Sequence, residues 1–108
     1  MILLLLVGCP TEIAADDICK EVGYAIAGRT QECTGDGALA EARYVSFSED
    51  YACIASQGRD TALYPTEDLY ACPLAIRNLA CELVDSYGDD TRAWLRASPF
   101  CALIVEPA

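Results

Sequence analysis

The sequence predicts an all-α fold, a small antiparallel bundle of three to four helices that three disulfides hold together. Apolar residues recur at helical spacing in three segments, whereas the apolar–polar alternation that is typical of strands is almost absent. Six cysteines lie between residues 19 and 101, and an even number fits a disulfide framework. At 108 residues the chain has room for one domain with a modest core, so covalent cross-links would matter for its stability.

The first helix is predicted to begin at Thr11 or Asp16 and to fray near Thr30. Acidic residues at its start suit the positive end of the helix dipole. Spacings of three, four and seven residues place one apolar stripe on a single face of this helix. The stripe consists of Cys19, Val22, Ile26 and Cys33.

The second helix is predicted over residues 38–56, after a turn at residues 35–37 in which Asp36 is the N-cap. Two neighbouring stripes follow helical spacing. One consists of Tyr44, Phe47, Tyr51 and Ile54, and the other of Leu39, Ala42, Ser46 and Cys53. Residues 43–47 could instead form a short strand, although the sequence offers no evident partner strand.

The third helix is predicted to open at residues 66–68 and to end at the C-cap Gly88. Its apolar positions keep helical spacing over five turns, which makes it the expected central packing element. These positions are Leu69, Cys72, Ile76, Leu79, Ala80, Leu83, Val84 and Tyr87. Pro73 should kink this helix or separate residues 69–72 as a turn of their own.

A short fourth helix is predicted to begin after Asp89 or Asp90 as the N-cap and to run through Ala97. It includes Trp94, and Pro99 follows its end. The apolar tail over residues 100–105 is expected to pack back on the body of the domain.

Helix geometry limits which cysteines can pair. On one straight helix, Cys19 and Cys33 would lie about 21 Å apart, and Cys72 and Cys81 about 13 Å apart, at 1.5 Å per residue. The Cα atoms of a bridged pair lie within about 7 Å of each other. Neither pair should therefore form a bridge within its own helix.

Antiparallel hairpins then suggest the partners. A hairpin of the first two helices brings Cys19 level with Cys53, and a turn near Gly88 brings Cys101 level with Cys72. The two remaining cysteines belong to the opposite end of the bundle from Cys19. The predicted bridges are Cys19–Cys53, Cys33–Cys81 and Cys72–Cys101.

Residues 6–9, Leu-Val-Gly-Cys, end an apolar run at the start of the chain. This stretch resembles the lipobox of bacterial lipoproteins, in which a small residue precedes a lipidated cysteine. The resemblance implies that residues 1–8 are a signal peptide and that Cys9 receives a diacylglyceryl group and begins a single domain over residues 9–108. No basic residue precedes Cys9, so we expect the leader to start further upstream. The alternative is an apolar core segment with Cys9 as an ordinary thiol.

The same resemblance implies a place in the cell. A lipid on Cys9 would make the membrane a partner and would anchor the protein in the bacterial cell envelope. By the sorting tendency of that family, Pro10 after the lipidated cysteine, in place of Asp, favours the outer membrane. Six remaining cysteines in an exported chain fit three disulfides, whereas a cytosolic protein would keep them reduced in its core.

Composition excludes several kinds of function. With 7 basic and 17 acidic residues the formal net charge is -10, so nucleic acid is a poor partner and any partner should be cationic or uncharged. The same acidity could simply keep a small exported domain soluble. The chain contains no His, so it lacks an imidazole base and an ordinary zinc site. We therefore expect that the protein is not an enzyme and that it has no catalytic residue, cofactor or metal site.

Three acidic pairs could suggest a calcium site, but adjacent helical residues diverge and a pair needs a third ligand, so we interpret them as caps or solvated surface. They are Asp16–Asp17, Glu49–Asp50 and Asp89–Asp90.

The sequence thus predicts a binding or structural module. Tyr64, Tyr70 and Trp94 are the aromatic residues expected to be partly exposed and able to contact a sugar or a peptide, although aromatics at helical spacing more often belong to a core. The alternative function is a carrier that holds an apolar ligand or a lipid inside the helical bundle.

Overall fold

The computed structural model describes residues 15–53 and 66–108, apart from the side chains of residues 15–17, 53 and 66. The described chain is mostly helical, and it contains one two-stranded sheet. In order, the elements are α1 (Ala15–Thr34), α2 (Gly37–Asp50), β1 (Tyr51–Cys53), α3 (Thr66–Arg77), α4 (Cys81–Tyr87), α5 (Thr91–Leu95), a 3-10 helix (Pro99–Leu103) and β2 (Val105–Pro107).

The turn between α1 and α2 is built as predicted. Gly35 has a φ of 69°, a left-handed conformation that favours glycine, and the Asp36 side chain accepts a hydrogen bond of 3.0 Å from the Leu39 backbone N–H. The predicted fraying near Thr30 is wrong, because α1 continues to Thr34. There the Thr34 hydroxyl donates to the Thr30 carbonyl at 2.7 Å, which satisfies one of the last carbonyl groups of the helix.

The core lies where α1 packs against both α2 and α3. On α1 the predicted stripe faces inward, with Cys19, Val22 and Ile26 at most 1% exposed. Full burial of an aliphatic side chain of this size stabilises a fold by about 1.5–3 kcal/mol. Other fully buried aliphatic and aromatic side chains of the described core are Ile18, Ile76, Val84, Trp94 and Ile104.

The second helix ends at Asp50 rather than at residue 56. Tyr51 leaves the helix with φ -133° and ψ 149°, and β1 pairs antiparallel with β2. Tyr51 lies opposite Pro107, and Cys53 lies opposite Val105. The backbone of residues 51–53 thus forms its hydrogen bonds with β2, whereas in a longer α2 it would form them within the helix. The all-α prediction is too narrow in this respect, and residues 43–47, for which a strand was an alternative, are helical.

The predicted third helix is two helices, and the break lies after Arg77 rather than at Pro73. Helix α3 runs without interruption through Pro73, so residues 69–72 are not a separate turn. The Asn78 side chain donates to the Leu74 carbonyl at 2.8 Å, a local bond that competes with helix continuation. Ala80 then adopts an extended conformation as the N-cap of α4.

The C-terminal third follows the prediction more closely. Gly88 ends α4 with a φ of 54°, and Asp90 is the N-cap of α5 although its side chain makes no capping hydrogen bond. Helix α5 stops at Leu95, two residues before the predicted end. The apolar tail packs on the body as expected, with Ile104 at 0% and Val105 at 5% exposure.

Two of the three predicted disulfides are confirmed. The Cα atoms of Cys33 and Cys81 lie 5.4 Å apart, and those of Cys72 and Cys101 lie 4.8 Å apart. The third predicted bridge, from Cys19, requires a Cys53 side chain that lies outside the described residues. Cys9 and the predicted signal peptide lie outside them as well.

Candidate binding groove

An open groove of about 760 Å³ lies between α5, the C-terminal end of α2 with β1, and the last residues of the chain. Its volume falls in the range of small-molecule sites, roughly 300–1,000 Å³. Apolar side chains of Tyr51, Leu95 and Val105 contribute to its lining. The charged side chains of the groove are Asp50, Asp89, Asp90, Arg92 and Arg96.

Two exposed arginines line this groove, Arg92 within α5 and Arg96 directly after its last residue. Ala93 and Trp94 are in the core at 4% and 1% exposure, whereas Arg92 and Arg96 are exposed. Both arginines belong to the lining of the groove, which therefore contains two guanidinium groups.

A buried guanidinium lies behind the groove. Arg43 is only 8% exposed, and its Nη1 donates to Thr30 Oγ1 at 3.2 Å while its Nε donates to Asp89 Oδ1 at 3.3 Å. Its Cζ lies 5.9 Å from the centroid of the Trp94 ring, within the range of a cation–π contact. Arg43 thus links α1, α2, α5 and the segment before α5.

Arg43 is not among the residues predicted to form a site, although the sequence contains one signal for its burial. The buried residues of α2 are Ala40, Arg43 and Phe47, which follow the helical spacing of three and four residues. An arginine inside such a stripe indicates a charge that is buried with partners. What the sequence lacked was any sign of those partners, since Thr30 and Asp89 belong to other segments.

Of the three predicted aromatic contact residues, the structure describes Trp94 and Tyr70, and neither lines the groove. Trp94 is 1% exposed instead of partly exposed, because its ring packs in the core and its indole N–H donates to the Gly88 carbonyl at 3.0 Å. Tyr70 is half-buried and packs against the core. Tyr64 lies outside the described residues. The aromatic residue that does line the groove is Tyr51.

Ion pairs are unevenly distributed over the described arginines. Three of them have a carboxylate partner: Arg29–Glu32 at 3.0 Å, Arg43–Asp89 at 3.3 Å and Arg77–Glu21 at 2.6 Å. In contrast, Arg92 and Arg96 make no ion pair with any residue that the structure describes, and neither do Asp50 and Asp90 in the same groove. The groove thus holds two unpaired charges of each sign.

A buried hydroxyl also belongs to the groove. Thr91 is 7% exposed, and within the described ranges its side chain makes no hydrogen bond. A buried polar group without a partner costs about 1–3 kcal/mol. The lining of the groove therefore contains a polar atom that a ligand or a water molecule could satisfy.

A second, smaller hollow of about 350 Å³ lies beside Tyr24 on α1. The Tyr24 and Tyr44 rings are stacked, with centroids 5.4 Å apart. Burial, together with the neighbouring Tyr24, raises the pKa of Tyr44 above its ordinary value of 10.0. Because this phenol stays protonated at neutral pH, it does not supply a general base.

Residues 15–53 and 66–108 contain no group of three or more His, Cys, Asp or Glu side chains placed to hold a metal ion. None of their helices combines the length and the hydropathy that crossing a bilayer requires. Comparison of the chain with protein-family models, with curated proteins and with solved structures gives no match.

Proposed function

We propose that this protein is a small lipoprotein of the bacterial cell envelope that acts as a binding or structural module. The disulfides Cys33–Cys81 and Cys72–Cys101 carry this proposal, because such bonds persist in oxidising compartments and are rare in the cytosol. The resemblance of residues 6–9 to a lipobox supplies the anchor, a lipid on Cys9. Pro10 favours the outer membrane as its location.

A third bridge, Cys19–Cys53, belongs to the same proposal. Cys19 is buried on the core face of α1, and Cys53 lies on β1, which contacts α1. This bond would cross-link α1 to β1. The antiparallel bundle would then have disulfides at both of its ends. All six cysteines beyond Cys9 would then be oxidised.

The packing of the interior favours a binding surface over a carrier of apolar ligands. Large aliphatic side chains and Trp94 fill the described core, and the groove beside α5 opens to solvent. A carrier would need an apolar interior volume for its ligand. Native mass spectrometry of the Cys9→Ser protein, purified without detergent, distinguishes the two, because co-purified lipid would support the carrier.

Metabolic labelling with an alkyne analogue of palmitate tests the anchor. The gene would be expressed in a bacterial host together with the sequence upstream of it. We expect the label to enter the protein in the membrane fraction and to be lost, together with membrane association, in Cys9→Ser. Cys53→Ser is the matched control and should keep the label. If Cys9→Ser were labelled as strongly as the native chain, the lipoprotein proposal would be wrong.

A further inference from the structure

We propose that the groove beside α5 binds a short zwitterionic peptide. Its carboxylate would contact Arg92 and Arg96, its ammonium group would face Asp50 and Asp90, and an apolar side chain would cover the floor. This inference rests on the proposed function as a binding module and names the class of ligand that the module takes.

The arginine pair supports the carboxylate end of the ligand. Guanidinium groups bind planar carboxylates through paired hydrogen bonds, and such charge-assisted bonds are about twice as strong as neutral ones. The other three described arginines all have carboxylate partners in a chain that is rich in acidic residues. Arg92 and Arg96 are the described arginines without an ion pair, and both line the groove.

The acidic residues support a ligand that also carries a positive charge. Asp50 and Asp90 are exposed, line the same groove and make no ion pair with the described residues. A simple anion would meet their repulsion as well as that of a chain with net charge -10. Since the carboxylate of Asp89 is already engaged by Arg43, the unpaired groups of the groove balance at two charges of each sign. A zwitterion can pair its carboxylate with the arginines and its ammonium group with the aspartates.

The floor of the groove adds an apolar contact and a hydrogen bond. Tyr51, Leu95 and Val105 lie on the lining, which suits an aliphatic side chain of the ligand. The buried hydroxyl of Thr91 can donate to a peptide carbonyl or accept from a peptide N–H. Peptides provide all four features, two charged termini, an apolar side chain and backbone polar groups, within one small molecule.

Calorimetric titration of the oxidised full chain with Cys9→Ser provides the test. The probe is the tripeptide Ala-Leu-Ala with free termini, at low ionic strength. We expect saturable binding that weakens by at least about tenfold when the peptide is N-acetylated or C-amidated, because each cap removes one set of charge-assisted bonds. Equal binding of the capped peptides, or no saturable binding at millimolar peptide, would overturn the inference.

Variants locate the site. Arg92→Gln with Arg96→Gln should remove the preference for a free carboxylate, and Asp50→Asn with Asp90→Asn should remove the preference for a free amine. Thr91→Val should weaken binding severalfold. Thermal unfolding followed by circular dichroism would check that this variant is folded. Lys20→Gln, an exposed cation on α1, is the control and should leave the affinity unchanged. Full binding by the double arginine variant would refute this site, whereas the palmitate experiment on Cys9 tests the proposed function independently.

Discussion

At the scale of single residues, the guanidinium of Arg43 is the charge around which α1, α2 and α5 meet. Burial of a charge costs free energy unless partners replace the lost water. Here the Thr30 hydroxyl, the Asp89 carboxylate and the Trp94 ring provide that replacement. Because the Asp89 side chain is 78% exposed, its ion pair contributes less than the bond to Thr30 and the packing of the arginine stem.

We expect Arg43→Ala to lower the free energy of unfolding by about 2–3 kcal/mol, since it removes both hydrogen bonds and the packed stem. Arg43→Met keeps part of that packing and should cost less than Arg43→Ala. Asp89→Asn should cost less than about 1 kcal/mol. Urea unfolding of the oxidised proteins measures all three. A loss for Asp89→Asn equal to that for Arg43→Ala would contradict this ranking.

Two glycines of α1 provide a matched pair. A Cβ at Gly23 would lie 2.9 Å from Cε2 of Tyr44 and 3.2 Å from Cδ2 of Phe47, whereas a Cβ at Gly28 would meet nothing within 4 Å. Gly28→Ala should stabilise the fold by about 0.5–1 kcal/mol through helix propensity. Gly23→Ala should destabilise it by about 1–2 kcal/mol, because the Tyr44 and Phe47 rings must shift. Thermal unfolding of both variants tests the close approach of α1 and α2, and equal shifts in Tm would refute it.

The raised pKa of Tyr44 predicts a loss of stability at alkaline pH. Between the unfolded value near 10 and the higher folded value, the native state binds more protons than the unfolded state, so stability falls as pH rises through that window. Below it, the contribution is fully present. Urea titrations from pH 8 to 11 on Cys9→Ser should show a steeper alkaline decline than on Cys9→Ser with Tyr44→Phe. Identical declines would show that Tyr44 does not titrate as inferred.

At the scale of elements, the sequence predicts those whose signals are local. Asp36 caps α2 and Gly88 ends α4 because a side chain or a positive φ acts within a few residues. The break after Arg77 escaped prediction, since the side-chain bond of Asn78 to the α3 backbone overrides an unbroken apolar pattern. Strand β1 escaped it as well, because its partner β2 lies at the other end of the chain.

The two described disulfides should differ in their reactivity towards thiols. Cys81 is exposed and Cys33 half-buried, whereas Cys72 is 0% and Cys101 1% exposed. Attack of a thiolate on a disulfide requires access to sulfur. Limited reduction with dithiothreitol, followed by alkylation and mass spectrometry, should therefore label Cys33 and Cys81 first. Earlier labelling of the buried pair would mean that the packing of α3 against the 3-10 helix is looser than described.

At the scale of the whole molecule, the helical class followed from apolar periodicity. The bridge Cys72–Cys101 followed from hairpin geometry, and Cys33–Cys81 was the pair that remained. The groove could not be predicted in this way. Its lining comes from the end of α2, from β1, from α5 and from the C-terminal segment, and no periodicity along the sequence brings these together. The burial of Trp94 has the same origin, since its partners depend on the path of the segment around Gly88.

The most direct test of the account is a disulfide map of protein isolated from cells without a reducing agent. Cleavage after Lys and Arg places the six bridging cysteines on six different peptides, so each bond would appear as one linked pair. We predict that the peptide of residues 9–20, which carries the lipid on Cys9, is joined to residues 44–59. Residues 30–43 should be joined to 78–92, and residues 60–77 to 97–108. Six free thiols, or Cys53 linked to Cys72, would contradict the account of an exported, disulfide-stabilised module.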